Sequence, residues 1–289
     1  MNSVYEKSKS SFQVALWVLF ILVILITLLP ILHIFAISLS GKEAIMRGDV
    51  GIFPTDFTTE AYSMVFRNSG IVNSLFFSIF LTVVSSLLSI GATILAAYPL
   101  SKSYLKGKTF FMTLITVTMY VGAGMVPDYL LFKELHMLNT IWVLIFPGLI
   151  SAFNLIILRT FFAGINNALF EAAYIDGCSE WKCLFKIAIP LSLPSVFTLM
   201  LFYAVARWNN VSDVLFYINK APLYTLQYQL KLMLDTINLP YEYGAIVQQL
   251  TPENVKASTV VFSMIPMLIV YPFVQKYFTK GVMIGGVKE

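Results

Sequence analysis

"EAAYIDGCSEWKCLFKIAIPLSLP", residues 171–194, lies between two apolar runs yet carries Glu171, Asp176, Glu180, Lys182 and Lys186, with Gly177 inside a helix-like pattern. Its surroundings decide the fold class. The chain has 289 residues, 58% hydrophobic and 12% charged, with a mean hydropathy of +0.80. Soluble domains carry about 25% charged residues, so half that value points to a membrane protein. Stretches without Asp, Glu, Lys or Arg occur at 10–41, 68–101, 109–127, 135–158, 187–206 and 257–275, the shortest 19 residues long. The next longest, 160–170, has only 11. At the rise of an α-helix, about 20 apolar residues cross the hydrocarbon core. The expected fold is therefore an all-α membrane protein with six transmembrane helices. They run over about 13–38, 71–100, 109–130, 138–160, 191–216 and 257–278 in a single polytopic domain, 1–289. The charged insert falls in a loop over about 164–190.

Orientation follows from Lys and Arg beside the spans. One side holds Lys7, Lys9, Lys102, Lys106, Lys108, Arg159, Lys182, Lys186, Lys276, Lys280 and Lys288, 11 cations against five acids. The other holds 8 cations and 10 acids. The first side is expected to be cytoplasmic, which places both termini and the insert inside. The net charge of +4 is this bias, and no aromatic-plus-basic cluster suggests nucleic acid.

The first apolar run is longer than the about 7–15 residues of a cleaved signal, so a retained helix is expected despite the small pair Ala36 and Ser38. Cys178 and Cys183 fall on the reducing side, where they read as small apolar fillers. With only His33 and His136 beside them there is no metal cluster. Between the first two spans, Pro54, Thr55 and Asp56 are turn residues and Thr59 to Phe66 suits a short surface helix. Pro30, Pro99, Pro147, Pro194, Pro266 and Pro272 punctuate the spans, as kinks between packed helices or as hinges.

Within the insert, Asn166 or Asn167 can cap a helix whose apolar face is Leu169, Phe170, Ala173 and Tyr174. Gly177 permits a positive φ and a sharp turn. Ser179 can cap a second helix, with Trp181, Leu184, Phe185 and Ala188 on one face, Lys182 and Lys186 on the rest, and Pro190 at its end. Two short helices joined at a glycine make a compact knob. By periodicity alone it suits either the groove of another protein or the headgroup layer.

The residue identities add to this. Glu171-Ala172-Ala173, Asp176-Gly177, Ile187 and Pro190 resemble the "EAA…G…I.LP" signature of binding-protein-dependent ABC transporter permeases, with Ile189 where that signature has Leu. "RWNNVSDVLFYI" from Arg207, "PLYTLQYQLKLML" from Pro222 and the ending "QKYFTKGVMIGGVKE" resemble carbohydrate-uptake permeases of the maltose-transporter type. The branch they suggest serves complex oligosaccharides such as aldouronates and depends on a lipoprotein. Two further departures stand out: Ile165-Asn166-Asn167-Ala168-Leu169 where Ile-Pro-x-Glu-Leu is frequent, and Glu289 where Gly is usual.

The resemblance implies a type I importer permease fold in the bacterial plasma membrane, with Glu171, Ala172, Ala173, Asp176, Gly177, Ile187 and Pro190 coupling it to an ATPase. No G-x-x-x-x-G-K-[ST] loop occurs in the chain, and Gly41-Lys42 stands without the upstream glycine. The permease itself is thus expected to be no enzyme and to hold no cofactor. ATP and Mg²⁺ would be bound by two copies of a cytoplasmic ABC ATPase. A second homologous permease and an extracellular lipid-anchored solute-binding protein complete the implied set, with a carbohydrate as cargo. Tyr120, Asn154, Tyr203, Trp208 and Asn209 are the candidates for the substrate path, being polar or aromatic in or beside spans. Rival readings are an ABC permease for a non-sugar solute and an ATP-independent transporter or pore. Ion coupling is disfavoured because the charge-free cores offer no carboxylate.

Overall fold

The computed structural model describes residues 2–236 and 252–286, and every regular element among them is helical. The expectations at Lys288 and Glu289, and those on 237–251, lie outside the described residues. In chain order the helices are α1 (Asn2–Ser38), α2 (Lys42–Arg47), α3 (Glu60–Arg67), α4 (Ser69–Ser101), α5 (Lys108–Val117), α6 (Met125–Glu134) and α7 (Trp142–Ile145). After a 3₁₀ turn at Phe146–Gly148 come α8 (Ala152–Ala163), α9 (Asn167–Ile175) and α10 (Glu180–Cys183). A π-turn at Leu184–Ala188 leads into α11 (Ile189–Leu191) and α12 (Leu193–Asn209). The described residues end with α13 (Ser212–Tyr217), α14 (Leu226–Thr236) and α15 (Pro252–Gly286).

The chain divides into two compact units. The first contains residues 1–72 and 232–264. Over its most apolar window α1 has a mean hydropathy of 3.0 with no side chain buried within the chain. A helix apolar on all sides has to be covered by lipid or by another subunit. At its C-terminus, where backbone carbonyls lack intrahelical donors, Asn254 Nδ2 donates to the carbonyls of Ile37 and Ser40, and Ser258 Oγ donates to that of Ser38 at 3.2 Å. The short helix expected over 59–66 is α3, and Phe66 packs edge-on against Phe262 with centroids 5.1 Å apart.

The second unit contains residues 73–231 and 265–289. Its core joins Ile90, Ile94, Ala97 and Tyr98 of α4 to Leu158 and Phe162 of α8 and to Val196 and Leu199 of α12. Phe170, Cys183, Leu184 and Ala188 of the charged insert fill the remaining side of the same cluster. The insert is rooted in the helices that flank it.

Three of the expected spans are not continuous helices. Residues 118–124, with Gly122 and a positive-φ Gly124, separate α5 from α6 inside the stretch expected at 109–130. Pro147 sits where the stretch expected at 138–160 bends by 51° between Trp142–Gly148 and Ala152–Ala163. Within 191–216 the helix ends at Asn209, and Asn210 Oδ1 accepts the Asp213 N–H at 3.0 Å to start α13. The chain also turns by 83° between Glu180–Leu191 and Leu193–Asn209. The prolines divide accordingly. Pro30, Pro99, Pro266 and Pro272 lie inside unbroken helices, whereas Pro147 and Pro194 stand at breaks, where the missing N–H costs no ladder bond.

Phe170 is 4% exposed and Leu169 beside it is 48% exposed, so the pair separates rooting from surface. Phe170→Ala should lower the stability of the detergent-solubilised permease by about 3 kcal/mol, read as a fall in thermal midpoint. Leu169→Ala should shift it by no more than about 0.5 kcal/mol.

Candidate functional site

The charged insert is a helix–turn–helix knob. Asn166 Oδ1 accepts the Ala168 N–H at 3.0 Å and starts α9. Gly177 has φ +73°, which an L-residue adopts only at a cost, and the Gly177 N–H returns to Tyr174 O at 3.0 Å. Ser179 Oγ then accepts the Lys182 N–H at 3.5 Å and starts α10. All three local expectations fall where the sequence placed them.

The faces do not all match. On α9, Phe170 is buried and Ala173 packs on the core, but Leu169 and Tyr174 are exposed. On the second helix the expected face of Trp181, Leu184, Phe185 and Ala188 is turned. Cys183, Leu184 and Ala188 are buried and Ile187 packs against them, while Trp181 and Phe185 are exposed and stacked with centroids 6.4 Å apart. Small side chains let the knob approach α4 and α8 closely, so Cys183 and Ala188 go inward and the two large rings stay out. Both cysteines are unpaired thiols, and burial pushes the Cys183 thiol above its ordinary value.

This arrangement sorts the seven motif residues. Glu171, Ala172, Asp176 and Gly177 are exposed, Ala173 and Ile187 face the core, and Pro190 stands exposed just before the 83° turn. A Cβ built on Gly177 meets nothing within 4 Å, so the glycine is required here by its φ and leaves open space above the turn. Ile175, next to it, is 87% exposed.

Glu180, one of the charged residues of the insert, is the hub of a cluster. Its Oε2 accepts from Tyr98 Oη at 2.9 Å, and its Oε1 accepts from Tyr174 Oη at 2.9 Å and from Tyr104 Oη. One carboxylate thereby ties α10 to α9, to the end of α4 and to the loop after it. Burial alone would raise the Glu180 carboxyl, but the three phenol bonds and Lys102 outweigh it and hold it below its ordinary value. Burial, and then the bond to Glu180, push the Tyr104 and Tyr174 phenols up. Lys102 Nζ lies 3.2 Å from the centroid of the Phe170 ring, a cation–π contact over the rooting side chain. Arg159 Nε donates to Leu100 O at 3.2 Å, and Lys108 Nζ reaches the Ser101 and Lys102 carbonyls at 3.4 Å. The cations that signalled orientation therefore also cap α4, where cations suit the helix dipole.

The substrate-path candidates are dispersed. Tyr120 is 82% exposed in the turn just past α5, beside Thr109, Thr113 and Thr116 along a shallow groove. Asn154 is buried in the first turn of α8. Asn209 Nδ2 donates to Val205 O at 2.9 Å within its own helix, and Trp208 is buried. Tyr203 is structural as well as lining. Its Oη accepts the Ser151 N–H at 2.9 Å and lies 2.7 Å from Thr93 Oγ1, which itself donates to Ser89 O at 2.7 Å, so Tyr203 is the donor to Thr93. That relay joins α4, the break before α8 and α12. The ring borders a cavity of about 250 Å³ with Arg207, which the sequence reading left out. Arg207 was hidden because it closes a charge-free run rather than interrupting one.

The chain matches the family described as "Binding-protein-dependent transport system inner membrane component" over residues 10–284. It belongs to that family. Protein LplC of Bacillus subtilis is 40% identical over 259 residues, 89% of this chain and 88% of that one. The polygalacturonan/rhamnogalacturonan transport system permease protein YtcP of the same organism is 37% identical over 260 residues, 89% of this chain and 91% of that one. Among solved structures, a chain of a bacterial ABC transporter involved in the import of the acidic polysaccharide alginate superposes with a TM-score of 0.89 at 33% identity. It covers 94% of this chain and 98% of that chain. The fold of this protein is thus that of an importer permease, an inner-membrane transport component.

Because the Glu180 carboxyl is depressed, its contribution to stability is present above the ordinary value of 4.5 and is lost as pH falls through its lower folded value. Hydrogen exchange of the α9 and α10 amides should stay slow at that ordinary value and speed up only below it. In Glu180→Gln the same amides should exchange faster at neutral pH and show no such step.

Proposed function

We propose that this chain is the membrane-spanning subunit of an ATP-driven importer, and that it passes a carbohydrate, an oligosaccharide, delivered by an extracellular solute-binding protein. The observation that carries this is the rooted knob. Its inner face of Phe170, Leu184 and Ala188 is fixed in the helical core, and its outer side presents Glu171, Ala172 and Gly177. A segment held on one side and bare on the other is built to receive a push. Family membership supports the binding-protein dependence, and the names of the relatives support a sugar cargo. The six apolar stretches cross the plasma membrane, the knob and both termini lie on the cytoplasmic side, and the whole chain is one permease domain.

The partners are a second homologous permease, two copies of a cytoplasmic ABC ATPase that bind ATP and Mg²⁺, and a lipid-anchored binding protein outside. The permease hydrolyses nothing itself. ATP binding closes the ATPase pair around the knobs, and the helices rooted to each knob tilt to open the path outward. Hydrolysis reverses the motion. The bias is the difference in ATPase affinity for the two permease states. Glu171, Ala172, Ala173, Asp176, Gly177, Ile187 and Pro190 serve this coupling, the exposed members by contact and the others by rooting. Tyr120, Asn154, Tyr203, Trp208 and Asn209 border or support the path.

Gly177→Arg adds bulk to the open turn and strains its positive φ. In the complete transporter it should reduce sugar uptake at least about tenfold, with the complex still purified intact; normal uptake would sink the coupling role. A Glu171→Cys permease should react with a membrane-impermeant maleimide in inside-out vesicles and not in intact cells. Labelling from outside would reverse the assigned topology.

A further inference from the structure

The cavity beside Tyr203 is a feature of the second unit that coupling does not use. It measures about 250 Å³ and is lined by Ser85 and Ser89 of α4, Tyr203 and Arg207 of α12, and Asn210 and Asp213 just beyond, with Gly148 at the bend. Arg207 Nη1 donates to Asp213 Oδ2 at 2.9 Å, and the two side chains are only 10% and 20% exposed. Both lie inside the stretch assigned above as the fifth span. They stand past its charge-free part, 187–206, in the last turn of α12 and just beyond it, where burying an ion pair is costly and points to a role. Ser85 lines the cavity, and its Oγ, itself shielded from the open space, has no hydrogen-bond partner, so turning it toward the cavity breaks no bond. An orphaned buried hydroxyl carries an uncompensated desolvation cost that a ligand hydroxyl removes.

We propose that this cavity is a sugar subsite of this chain, taking a single carbohydrate ring through its hydroxyls by way of the Arg207–Asp213 pair, Ser85 and Asn210. Three features select that ligand. The pair offers charged donors and a charged acceptor side by side, which matches neighbouring hydroxyl groups that both donate and accept. Asp213 already neutralises Arg207, so a sugar carboxylate would face Asp213 as well as the guanidinium; the site reads hydroxyls and not acid groups. The volume lies below the about 300–1,000 Å³ of sites for whole drug-sized ligands and fits one ring of a longer chain. Arg207 is held by Asp213, and Gly148 leaves it room, since an added Cβ there would come within 3.4 Å of Arg207 Nη2.

The inference rests on the carbohydrate reading above, and the test separates the two. The complete transporter, with its partner permease, ATPase pair and binding protein, is reconstituted in proteoliposomes. Uptake is measured for labelled xylotriose and arabinotriose as neutral sugars and for trigalacturonate as an acidic one. Ser85→Ala deletes a hydroxyl that bonds nothing in the chain, so assembly should be unaffected while the uptake KM rises up to about tenfold. The double change Arg207→Gln with Asp213→Asn removes both charges together, leaves neither stranded, and should lower uptake at least about tenfold. The losses should fall on whichever of these sugars the wild type carries, neutral and acidic alike. Unchanged KM in both variants overturns the subsite, and a loss confined to trigalacturonate overturns its hydroxyl chemistry in favour of an anion site. A wild-type transporter that carries none of the three sugars removes the carbohydrate reading and this inference with it.

Discussion

The seating of Phe170, Cys183, Leu184 and Ala188 against α4, α8 and α12 is the contact on which the rest of the second unit depends. Without it the charged insert would be joined to the helices only by its chain ends and the Glu180 cluster. The seating is both apolar and charged. Tyr98 and Phe162 meet edge-on beside Phe170, with centroids 6.1 Å apart, and Lys102 covers the Phe170 ring. Burial of one such side chain is worth about 1.5–3 kcal/mol, so the few that root the knob outweigh the surface bonds around Glu180. Glu180 ties the two short helices to each other through Tyr174, and the buried residues supply the hold.

The second unit also shows how broken helices survive among apolar neighbours. Each break leaves backbone donors and acceptors that lipid cannot satisfy. Tyr203 answers this before α8 by accepting the Ser151 N–H and donating its own O–H to Thr93. Asn210 answers it after α12, and Arg159 and Lys108 answer it at the end of α4. These polar side chains, in the apolar stretches and at their ends, make interruption tolerable.

Much of this was legible in the sequence, for identifiable reasons. Apolar length located helical stretches, and Asn166, Gly177 and Ser179 acted within a few residues, where local chemistry decides. The misread face around Trp181 and Phe185 had a different cause. The second short helix is apolar on two adjoining sides, and periodicity cannot say whether small or large residues face inward. Close approach to α4 decides that, and it is a tertiary constraint. The Glu180 cluster lay beyond reach for the same reason, since Tyr98 and Glu180 are 82 positions apart. Arg207 and Asp213 are near in sequence, but their pairing depends on the helix ending between them.

The 83° corner between Glu180–Leu191 and Leu193–Asn209 has a mechanical corollary. A load directed along the shorter arm meets the longer one almost crosswise, so it is felt there as torque about Ser192 rather than as axial thrust. A small sideways displacement at one end of such a crank becomes a swing at the far end of α12.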